Sequence, residues 1–289
     1  MEVSVVIPTL NAEKEIGFLL QKLHHQTVKL EEIIVIDSQS DDQTAKICRA
    51  DQRVLFIPIQ RSAFDHGGTR DRAFRQSHGR FVLFLTQDAL PEDEHYVERL
   101  LRPFQDPAVA MVSGRQIAKE EASPVEKWVR NFNYPPESTI RTQDDIPRLG
   151  IKTFFASNVC SAYRRSAYLA VGGFDSPLLT NEDMLMAARL IHAGYKVAYC
   201  AEARVIHSHH LTLKQQFIRN YRIGVFMRRN RDVFRNLPAS AEGMKLVNYV
   251  LPRLWKERRV GQFLYFCVEC AVKGLAYQCG NRLLPLGVA

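Results

Sequence analysis

The chain has 289 residues, of which 46% are hydrophobic and 24% are charged, and its formal net charge is +8. A chain of this length and composition can bury a large core, and it favours one large α/β domain with an appendage. No run of about 18 uncharged apolar residues predicts a spanning helix, and the strand-like start MEVSVVIP gives no sign of an export leader. We therefore expect a cytoplasmic protein whose cysteines are reduced thiols.

The first part of the chain alternates between apolar strands and amphipathic helices. Strands are predicted at VSVVIP, IIVID, VLFIPI and FVLFLT, and helices at NAEKEIGFLLQKLHHQ, DDQTAKICRA and the segment after DHGGT. Such alternation is typical of right-handed βαβ units. The pattern predicts a Rossmann-like, mostly parallel central sheet flanked by helices.

The second part of the pattern is less regular. A helix at PEDEHYVERLLRPF and a strand at VAMVSGRQI precede a stretch, 118–151, that we interpret as a long loop over the active-site face. A strand within TFFASNVCSAYRR, a short helix before a glycine turn, a helix at NEDMLMAARLIHAG and a strand ending on histidines follow.

Four acidic residues at three places in the chain are the main indication of function. Two apolar runs each stop on an aspartate, at Asp37 and Asp88, and the pair Glu182 and Asp183 begins a predicted helix. In open α/β sheets, ligands bind beyond the carboxyl ends of the strands. We therefore expect Asp37 and Asp88 at the mouth of one crevice.

The order of these motifs resembles the family 2 glycosyltransferases of the GT-A fold. The resemblance rests on PTLNAE, DSQSDD, the aspartate at 88, GGFD, NED and a late histidine, and it covers about residues 1–210. More narrowly, FDHGGTRDRAF with LTQDA resembles the bacterial rhamnosyltransferases that extend O-antigen, capsule or other cell-wall polysaccharides from a dTDP-sugar. The expected organisation is a catalytic domain at 1–210 and a basic helical extension at 211–289.

The resemblance implies an inverting transferase that moves a sugar, rhamnose in this branch, from a nucleotide-diphosphate donor to a lipid-linked glycan. The residues that it implies for nucleotide binding are Pro8, Thr9, Asn11, Glu13, Asp37, Ser38, Arg70, Gln87 and Asp88. The Asp37 carboxylate can accept the N3–H of a pyrimidine, although Asp37 and Asp41 can also cap a turn and the next helix. Exposed N–H groups at Gly67 and Gly68 would favour phosphate, and the Arg70 guanidinium would contact the nucleotide. The alternative for Arg70 is a solvated arginine at a helix start.

A divalent metal ion is the implied cofactor. Where the family carries Asp-x-Asp, this chain has Thr86, Gln87 and Asp88, so the first carboxylate is missing. Asp88, with His207 as a second ligand, would bind Mg²⁺ or Mn²⁺. The alternatives are a turn aspartate, a structural histidine, or ligation by His209 instead.

Asp183 is the implied catalytic base, which takes the proton of the acceptor hydroxyl while that oxygen attacks C1 from the side opposite the leaving nucleotide. A neighbouring carboxylate at Glu182 would raise the proton affinity of Asp183. The alternative is a carboxylate that only stabilises the helix dipole. Asn158, Arg164 and Glu182 are expected to line the acceptor side of the crevice.

The C-terminal part of the chain is strongly basic. From Arg204 onward it contains 15 Lys and Arg against 4 Asp and Glu, a net charge of +11, so the preceding residues carry −3. Apolar Phe217, Tyr221, Val225 and Phe226 are spaced as one helical face, and RLWKERRVGQFLYF repeats the mixture. This predicts an interfacial helix on the anionic inner face of a membrane, or a basic helix packed on the catalytic domain.

Two other function classes are weaker. The pI of 9.2 alone suggests a nucleic-acid-binding protein, but no DNA or RNA motif accompanies the basic segment. A nucleotidyltransferase that makes an activated sugar would want a glycine-rich, lysine-bearing phosphate loop, which PTLNAEKEIG lacks.

Overall fold

The computed structural model describes residues 2–208, 211–234, 237 and 240–282. Its strands are β1 (Val3–Thr9), β2 (Glu32–Asp37), β3 (Val54–Pro58), β4 (Phe81–Leu85), β5 (Leu90–Pro91), β6 (Val109–Ile117), β7 (Thr139–Arg141), β8 (Cys160–Arg164) and β9 (Lys196–Ile206). Its helices are α1 (Ile16–His24), α2 (Thr44–Ala50), α3 (His66–Gln76), α4 (Tyr96–Leu101), α5 (Pro124–Asn133), α6 (Ile146–Leu149), α7 (Arg165–Ala170), α8 (Glu182–His192), α9 (Leu213–Arg229), α10 (Ser240–Lys256) and α11 (Val260–Arg282).

The strands form one mixed sheet in the order β3, β2, β1, β4, β8, β6, β9, β5, with β7 added on β9. Strands β1 to β4 are parallel, as the sequence predicts. Strand β8 runs antiparallel to both of its neighbours, β4 and β6. The carboxyl ends of β1, β2, β4, β6 and β9 and the amino end of β8 therefore lie at the same edge of the sheet.

Both faces of the sheet are covered, which explains the continuous apolar runs. Along β1, Val5 and Ile7 face the layer of α1, α2 and α4, whereas Val6 faces the layer of α3, α7 and α8. Successive side chains of a strand point to opposite faces, so a strand buried on both sides needs apolar residues at every position.

The expectation of a long loop at 118–151 is wrong. The stretch contains α5, β7 and α6, and Ser123 caps α5 by accepting a hydrogen bond from the Glu126 N–H. One side of α5 packs against α10 and α11 through Val125, Trp128 and Val129. Because this helix depends on contacts with residues more than a hundred positions away, local periodicity alone did not reveal it.

The C-terminal helices pack on the catalytic body and on one another. Tyr221 and Phe226 of α9, expected on a free membrane-facing side, are only 7% and 4% exposed, and Phe226 belongs to the core beside α8. A Cβ on Gly224 would lie 2.3 Å from the Tyr277 carbonyl oxygen, so α9 and α11 approach closely at this point. Helix α9 therefore packs on the domain through Tyr221 and Phe226, as the alternative interpretation proposes, while Phe217 of the same predicted face is 41% exposed.

Candidate active site

The predicted carboxylates lie along one edge of the sheet. Thr9 and Asp37 end neighbouring parallel strands and are paired in register, Asp88 follows β4, and His207 follows β9. Asn158 precedes β8, whose reversed direction brings its amino end to the same edge. A series of hydrogen bonds and ion pairs connects these groups.

Asp37 is buried and holds the loop after β2. Its Oδ1 accepts hydrogen bonds from Thr9 Oγ1 at 2.8 Å and from Ser40 Oγ at 2.6 Å, and its Oδ2 accepts one from the Ser40 N–H. Asp37 therefore caps the turn after β2, which is the alternative role that the sequence allows. Next to it, Ser38 Oγ is buried and has no hydrogen-bond partner among the described residues, which leaves a polar atom available at this strand end.

The loop after β1 completes this part of the site. Asn11 adopts a positive φ of 51°, donates its N–H to Ser40 Oγ and accepts from the Asp41 N–H. Glu13 Oε2 accepts from the Gln43 N–H. The side chains of Asn11 and Glu13 therefore fix two loops against one another. Pro8 lies in β1 one residue before the strand end.

Gln87 joins the β1 loop to the β4 end. Its amide accepts the Leu10 N–H at 2.8 Å and donates to the Leu10 carbonyl at 3.1 Å. Gln87 thereby places its neighbour Asp88 relative to the strand that carries Thr9.

The start of α3 does not offer free N–H groups to a phosphate, which corrects the expectation for Gly67 and Gly68. The Gly67 N–H donates to the Leu178 carbonyl and the Gly68 N–H to Asp65 Oδ1. A Cβ on Gly67 would lie 2.0 Å from the Asp175 carbonyl oxygen. The double glycine therefore permits close packing of α3 against the segment that leads to α8.

Arg70 and Glu182 form a buried ion pair between α3 and α8. Arg70 Nη1 lies 3.4 Å from Glu182 Oε1 and donates to the His66 carbonyl at 3.1 Å. Burial disfavours the charge of Glu182, but Arg70 and a hydrogen bond from Asn158 outweigh burial and hold the pKa of this carboxyl below its ordinary value. Arg70 Nε is buried with no hydrogen-bond partner among the described residues, so the guanidinium keeps one donor for a further group.

Asp183 is the second residue of the same helix and is partly exposed. Its Oδ2 accepts the Asn158 N–H at 3.0 Å, and its Oδ1 accepts the Met184 N–H at 2.7 Å. Burial, followed by repulsion from the Glu182 carboxylate, raises the pKa of Asp183 to about 7. A carboxyl with this pKa can take a proton near neutral pH, as a general base must.

Asn158 is a buried junction below the acidic pair. Its Nδ2 donates to Glu182 Oε1 at 3.1 Å, while its Oδ1 accepts from Tyr163 and Ser161 hydroxyls at 2.7 and 2.8 Å. The structure thus gives the side chains of Asn158 and Glu182 a positioning role, because both are buried and committed to internal bonds. This differs from the expected contact with an acceptor.

The expectation for Arg164 is wrong. Arg164 pairs with Phe81 at the first residue of β4, so it lies at the edge of the sheet opposite to Asp88. Its guanidinium donates to the carbonyl oxygens of Phe104, Asp106 and Val109. It stabilises the turn before β6 and does not line the crevice.

Asp88 and His207 face one another across the site. His207 Nε2 lies 3.4 Å from Asp88 Oδ2, and His207 Nδ1 lies 3.0 Å from Gln116 Oε1. Arg130 also donates to Gln116 Oε1, and a guanidinium has no acceptor, so the oxygen of the amide must point toward Arg130 and His207. Nδ1 of the imidazole is therefore the nitrogen that carries hydrogen.

This tautomer directs a lone pair of neutral His207 toward the Asp88 carboxylate. A shared cation makes such an arrangement favourable, either a proton on Nε2 or a metal ion between the two groups. Carboxylate oxygen and imidazole nitrogen are suitable ligands for Mn²⁺ or Mg²⁺, so Asp88 and His207 are the residues that would hold such an ion. Among the described residues no group of three or more His, Cys, Asp and Glu side chains could hold a metal, so the protein would supply few ligands.

Sequence reasoning missed Gln116. It is a buried amide near the end of β6, and its Nε2 donates to the Tyr134 hydroxyl and to Ser157 Oγ at 2.7 and 2.9 Å. The available signal was a polar residue at the end of an apolar strand, the same signal that identified Asp37. His209 lies outside the described residues.

Comparisons with known proteins agree with this architecture. An O-antigen chain rhamnosyltransferase of Salmonella anatum, WbaN, is 42% identical over 259 residues, covering 88% of this chain and 81% of that protein. The O-antigen chain rhamnosyltransferase RfbN of Salmonella typhimurium strain LT2 is 39% identical over 258 residues, covering 89% and 82%.

Two solved structures share the fold at low identity. The mannosyltransferase PcManGT from Pyrobaculum calidifontis, in complex with GDP-Man and Mn²⁺, matches with a TM-score of 0.66 at 16% identity, covering 98% of this chain and 87% of that chain. Staphylococcus aureus TarS 1–349 in complex with UDP-GlcNAc matches with a TM-score of 0.58 at 16% identity, covering 97% and 90%. These likenesses show the GT-A fold.

The profile of glycosyl transferase family 2 matches residues 4–172, well over half of the chain. Taken with the rhamnosyltransferase relatives, this match excludes the nucleotidyltransferase and nucleic-acid-binding readings as the primary function. The chain belongs to glycosyl transferase family 2 and is a glycosyltransferase with the GT-A fold.

Proposed function

We propose that this enzyme transfers rhamnose from dTDP-rhamnose to a hydroxyl of a lipid-linked glycan during O-antigen synthesis, with inversion at C1. The observation that carries the proposal is the partly exposed Asp183 carboxyl, with a pKa of about 7, on the same sheet edge as Asp88 and His207. The two Salmonella relatives, both O-antigen chain rhamnosyltransferases, support rhamnose as the sugar and O-antigen as the product.

The donor nucleotide would lie along the ends of β1, β2 and β4. Asp37 Oδ2 accepts a hydrogen bond from the Ser40 N–H and keeps acceptor capacity for the N3–H of thymine, while Ser38 Oγ would supply a further polar contact. Thr9 fixes the carboxylate of Asp37 in place.

The diphosphate would lie beside Asp88 and His207, which are the residues that would hold a divalent metal ion. Such an ion would neutralise the charge that develops on the leaving dTDP. The buried Nε donor of Arg70 is a second candidate partner for a phosphate oxygen.

Asp183 would remove the proton of the acceptor hydroxyl as that oxygen forms the new bond to C1 and the bond from C1 to the diphosphate oxygen breaks. The Asn158 and Met184 N–H groups fix the orientation of the carboxylate. Glu182, paired with Arg70, stays ionised and keeps the proton affinity of Asp183 high.

The test is transfer from dTDP-rhamnose to a glycan acceptor, with dTDP-glucose, UDP-glucose and GDP-mannose as competing donors. Turnover should be fastest with dTDP-rhamnose, and the anomeric configuration of the product, read by NMR, should be opposite to that of the donor. Retention at C1, or preference for another nucleotide, would refute the corresponding part of the proposal.

We also propose that the enzyme works at the inner face of the membrane that carries its acceptor. No described helix has the length and apolar character to cross a bilayer. The net charge of +11 from Arg204 onward would favour an anionic lipid surface.

A further inference from the structure

Helix α11 is apolar on two opposite sides. One side is buried, and Gly280 on that side packs so closely that a Cβ would lie 2.0 Å from the Tyr221 carbonyl oxygen of α9. The other side faces outward and is covered by no element in the part of the chain that the structure describes. A helix whose opposite sides are both apolar is normally covered on both, so the outer side of α11 is suited to contact another apolar surface.

The outer side forms a continuous stripe, which we call the α11 stripe. Its large members are Val260, Leu264, Tyr265, Val268 and Leu275. They recur at helical spacing from position 260 to position 275, a rise of about 22 Å. Leu264 and Leu275 are 60% and 65% exposed.

The α11 stripe is free of charge along its length. All exposed positions of α11 from 260 to 275 are uncharged. The two charged residues in this span, Glu269 and Lys273, pair with one another at 2.6 Å and are mostly buried. The stripe therefore offers an apolar surface without the cost of burying an unpaired charge.

Cationic and aromatic side chains border the stripe. Trp255, at the end of α10, is 73% exposed and contacts the ring of Phe263 in the first turn of α11. Lys256 and Arg258 are exposed in the same region, and Arg282 is exposed at the other end of α11. Amphipathic aromatics and flanking cations are features of helices that lie in the headgroup region of anionic bilayers.

We propose that the α11 stripe and Trp255 rest in the interfacial region of an anionic phospholipid membrane, with α11 parallel to the bilayer. The inference rests on the proposed use of a lipid-linked acceptor and names the surface that would bring the enzyme to it. The docking helix is then α11 and not α9, because Tyr221 and Phe226 of α9 are buried by packing, whereas Phe217 of α9 is 41% exposed.

Charge argues for lipid over a second copy of the chain. In a two-fold dimer, a parallel arrangement of two α11 stripes would place Lys256 and Arg258 beside their own copies. An antiparallel arrangement would place them beside Arg282 of the other copy. The segment 256–259 also holds Glu257, which pairs with Arg259 at 2.7 Å, so its net charge is +2. Both arrangements therefore bring net positive ends together, whereas anionic headgroups neutralise them.

The test is flotation of the full-length protein with phosphatidylglycerol–phosphatidylcholine vesicles and with pure phosphatidylcholine vesicles. The double variant Leu264→Ser and Leu275→Ser should reduce the partition coefficient on anionic vesicles by at least about tenfold, because two exposed leucines no longer insert. The matched control is Phe18→Ser, since Phe18 on α1 is 64% exposed and lies outside the stripe. This control should bind as the wild type does.

A second readout uses the unaltered stripe. In a Trp128→Phe background Trp255 is the single tryptophan, so its emission reports its own surroundings. We expect a blue shift on addition of anionic vesicles and quenching by lipids brominated on their acyl chains. Trp255 emission that vesicles leave unchanged would overturn the proposal, even if the serine variants failed to fold.

Two further outcomes would also overturn it. One is equal vesicle binding by the double variant and the wild type. The other is a solution dimer, measured by light scattering, that the double variant converts to a monomer. Transfer of sugar to a soluble acceptor is measured separately, without vesicles. Vesicle binding without transfer would refute the proposed function, whereas transfer without vesicle binding would refute the docking surface.

Discussion

Asp88 and His207 are separated by more than a hundred residues in the chain, yet Asp88 Oδ2 and His207 Nε2 lie 3.4 Å apart. Gln116, itself held by Arg130, accepts the hydrogen on the other imidazole nitrogen and so orients the ring. In the family triplet Asp-x-Asp, this chain has Thr86 at the first position and Asp88 at the last. His207 lies next to that remaining aspartate. This relationship supports the proposal that the two residues share a divalent cation.

The first prediction concerns Gln116. Replacing it with leucine removes the acceptor for His207 Nδ1, and loss of such a supporting partner lowers metal affinity by about 10- to 100-fold. The measurement is Mn²⁺ binding by electron paramagnetic resonance in the presence of dTDP. The control Gln105→Leu changes an exposed glutamine and should leave binding unchanged.

The conservative variant Gln116→Glu keeps an oxygen for both Arg130 and His207. It should retain most of the Mn²⁺ affinity that Gln116→Leu loses. Equal binding by the wild type and the leucine variant would exclude Gln116 from the support of the metal site.

The second prediction concerns Asp183. Asp183→Asn keeps the shape of the side chain but cannot accept the proton, so kcat should fall by about 10²- to 10⁴-fold. Affinity for dTDP, measured by calorimetry, should change by less than about twofold because the nucleotide is assigned to other strand ends. Asp144→Asn, an exposed carboxylate outside the site, serves as the control. Turnover of Asp183→Asn close to that of the wild type would remove this residue from the mechanism.

The third prediction is the pH dependence of transfer. The pKa of Asp183 is raised to about 7, so the ionised, active form of the base is lost as the pH falls below that value. The quantity kcat/KM should fall about tenfold per pH unit on the acid side and level off above pH 7.

Glu182→Gln provides the matched test of this assignment. Removing the Glu182 charge removes one cause of the raised pKa and leaves Arg70, which acts in the opposite direction. The acid limb of the profile should therefore move to lower pH. An acid limb at the same pH in both proteins would show that another group titrates.

The fourth prediction concerns the nucleoside side of the site. Thr9→Val removes the 2.8 Å hydrogen bond to Asp37, and a lost neutral-to-charged bond of this kind weakens dTDP binding by about tenfold. Thr27→Val, which removes an exposed hydrogen bond to Glu98, is the control. Unchanged dTDP affinity in Thr9→Val would separate Asp37 from nucleotide recognition.

The sequence predicted the strand ends because doubly buried strands are continuous apolar runs, and the aspartates interrupt those runs at Asp37 and Asp88. It also predicted the acidic helix start at Asp183. Strand direction was not readable in the same way, and the reversal of β8 is the reason that Arg164 lies at the far edge.

Other parts of the site depend on tertiary contacts that a linear pattern does not contain. Gly67 and Gly68 have the composition of a phosphate loop, yet their N–H groups are bonded to Leu178 and Asp65. Likewise, α9 and α11 both carry apolar residues in the sequence. Because the two helices pack closely on one another, Tyr221 of α9 is buried, whereas Leu264 in the α11 stripe is exposed.

The most direct test of the central claim is calorimetric titration of dTDP into the wild type and Asp88→Asn, each with Mn²⁺ and with EDTA. We expect tight binding by the wild type with Mn²⁺, weaker binding in EDTA, and no gain from Mn²⁺ in Asp88→Asn. The same affinity under all four conditions, or no binding of dTDP by the wild type, would contradict it.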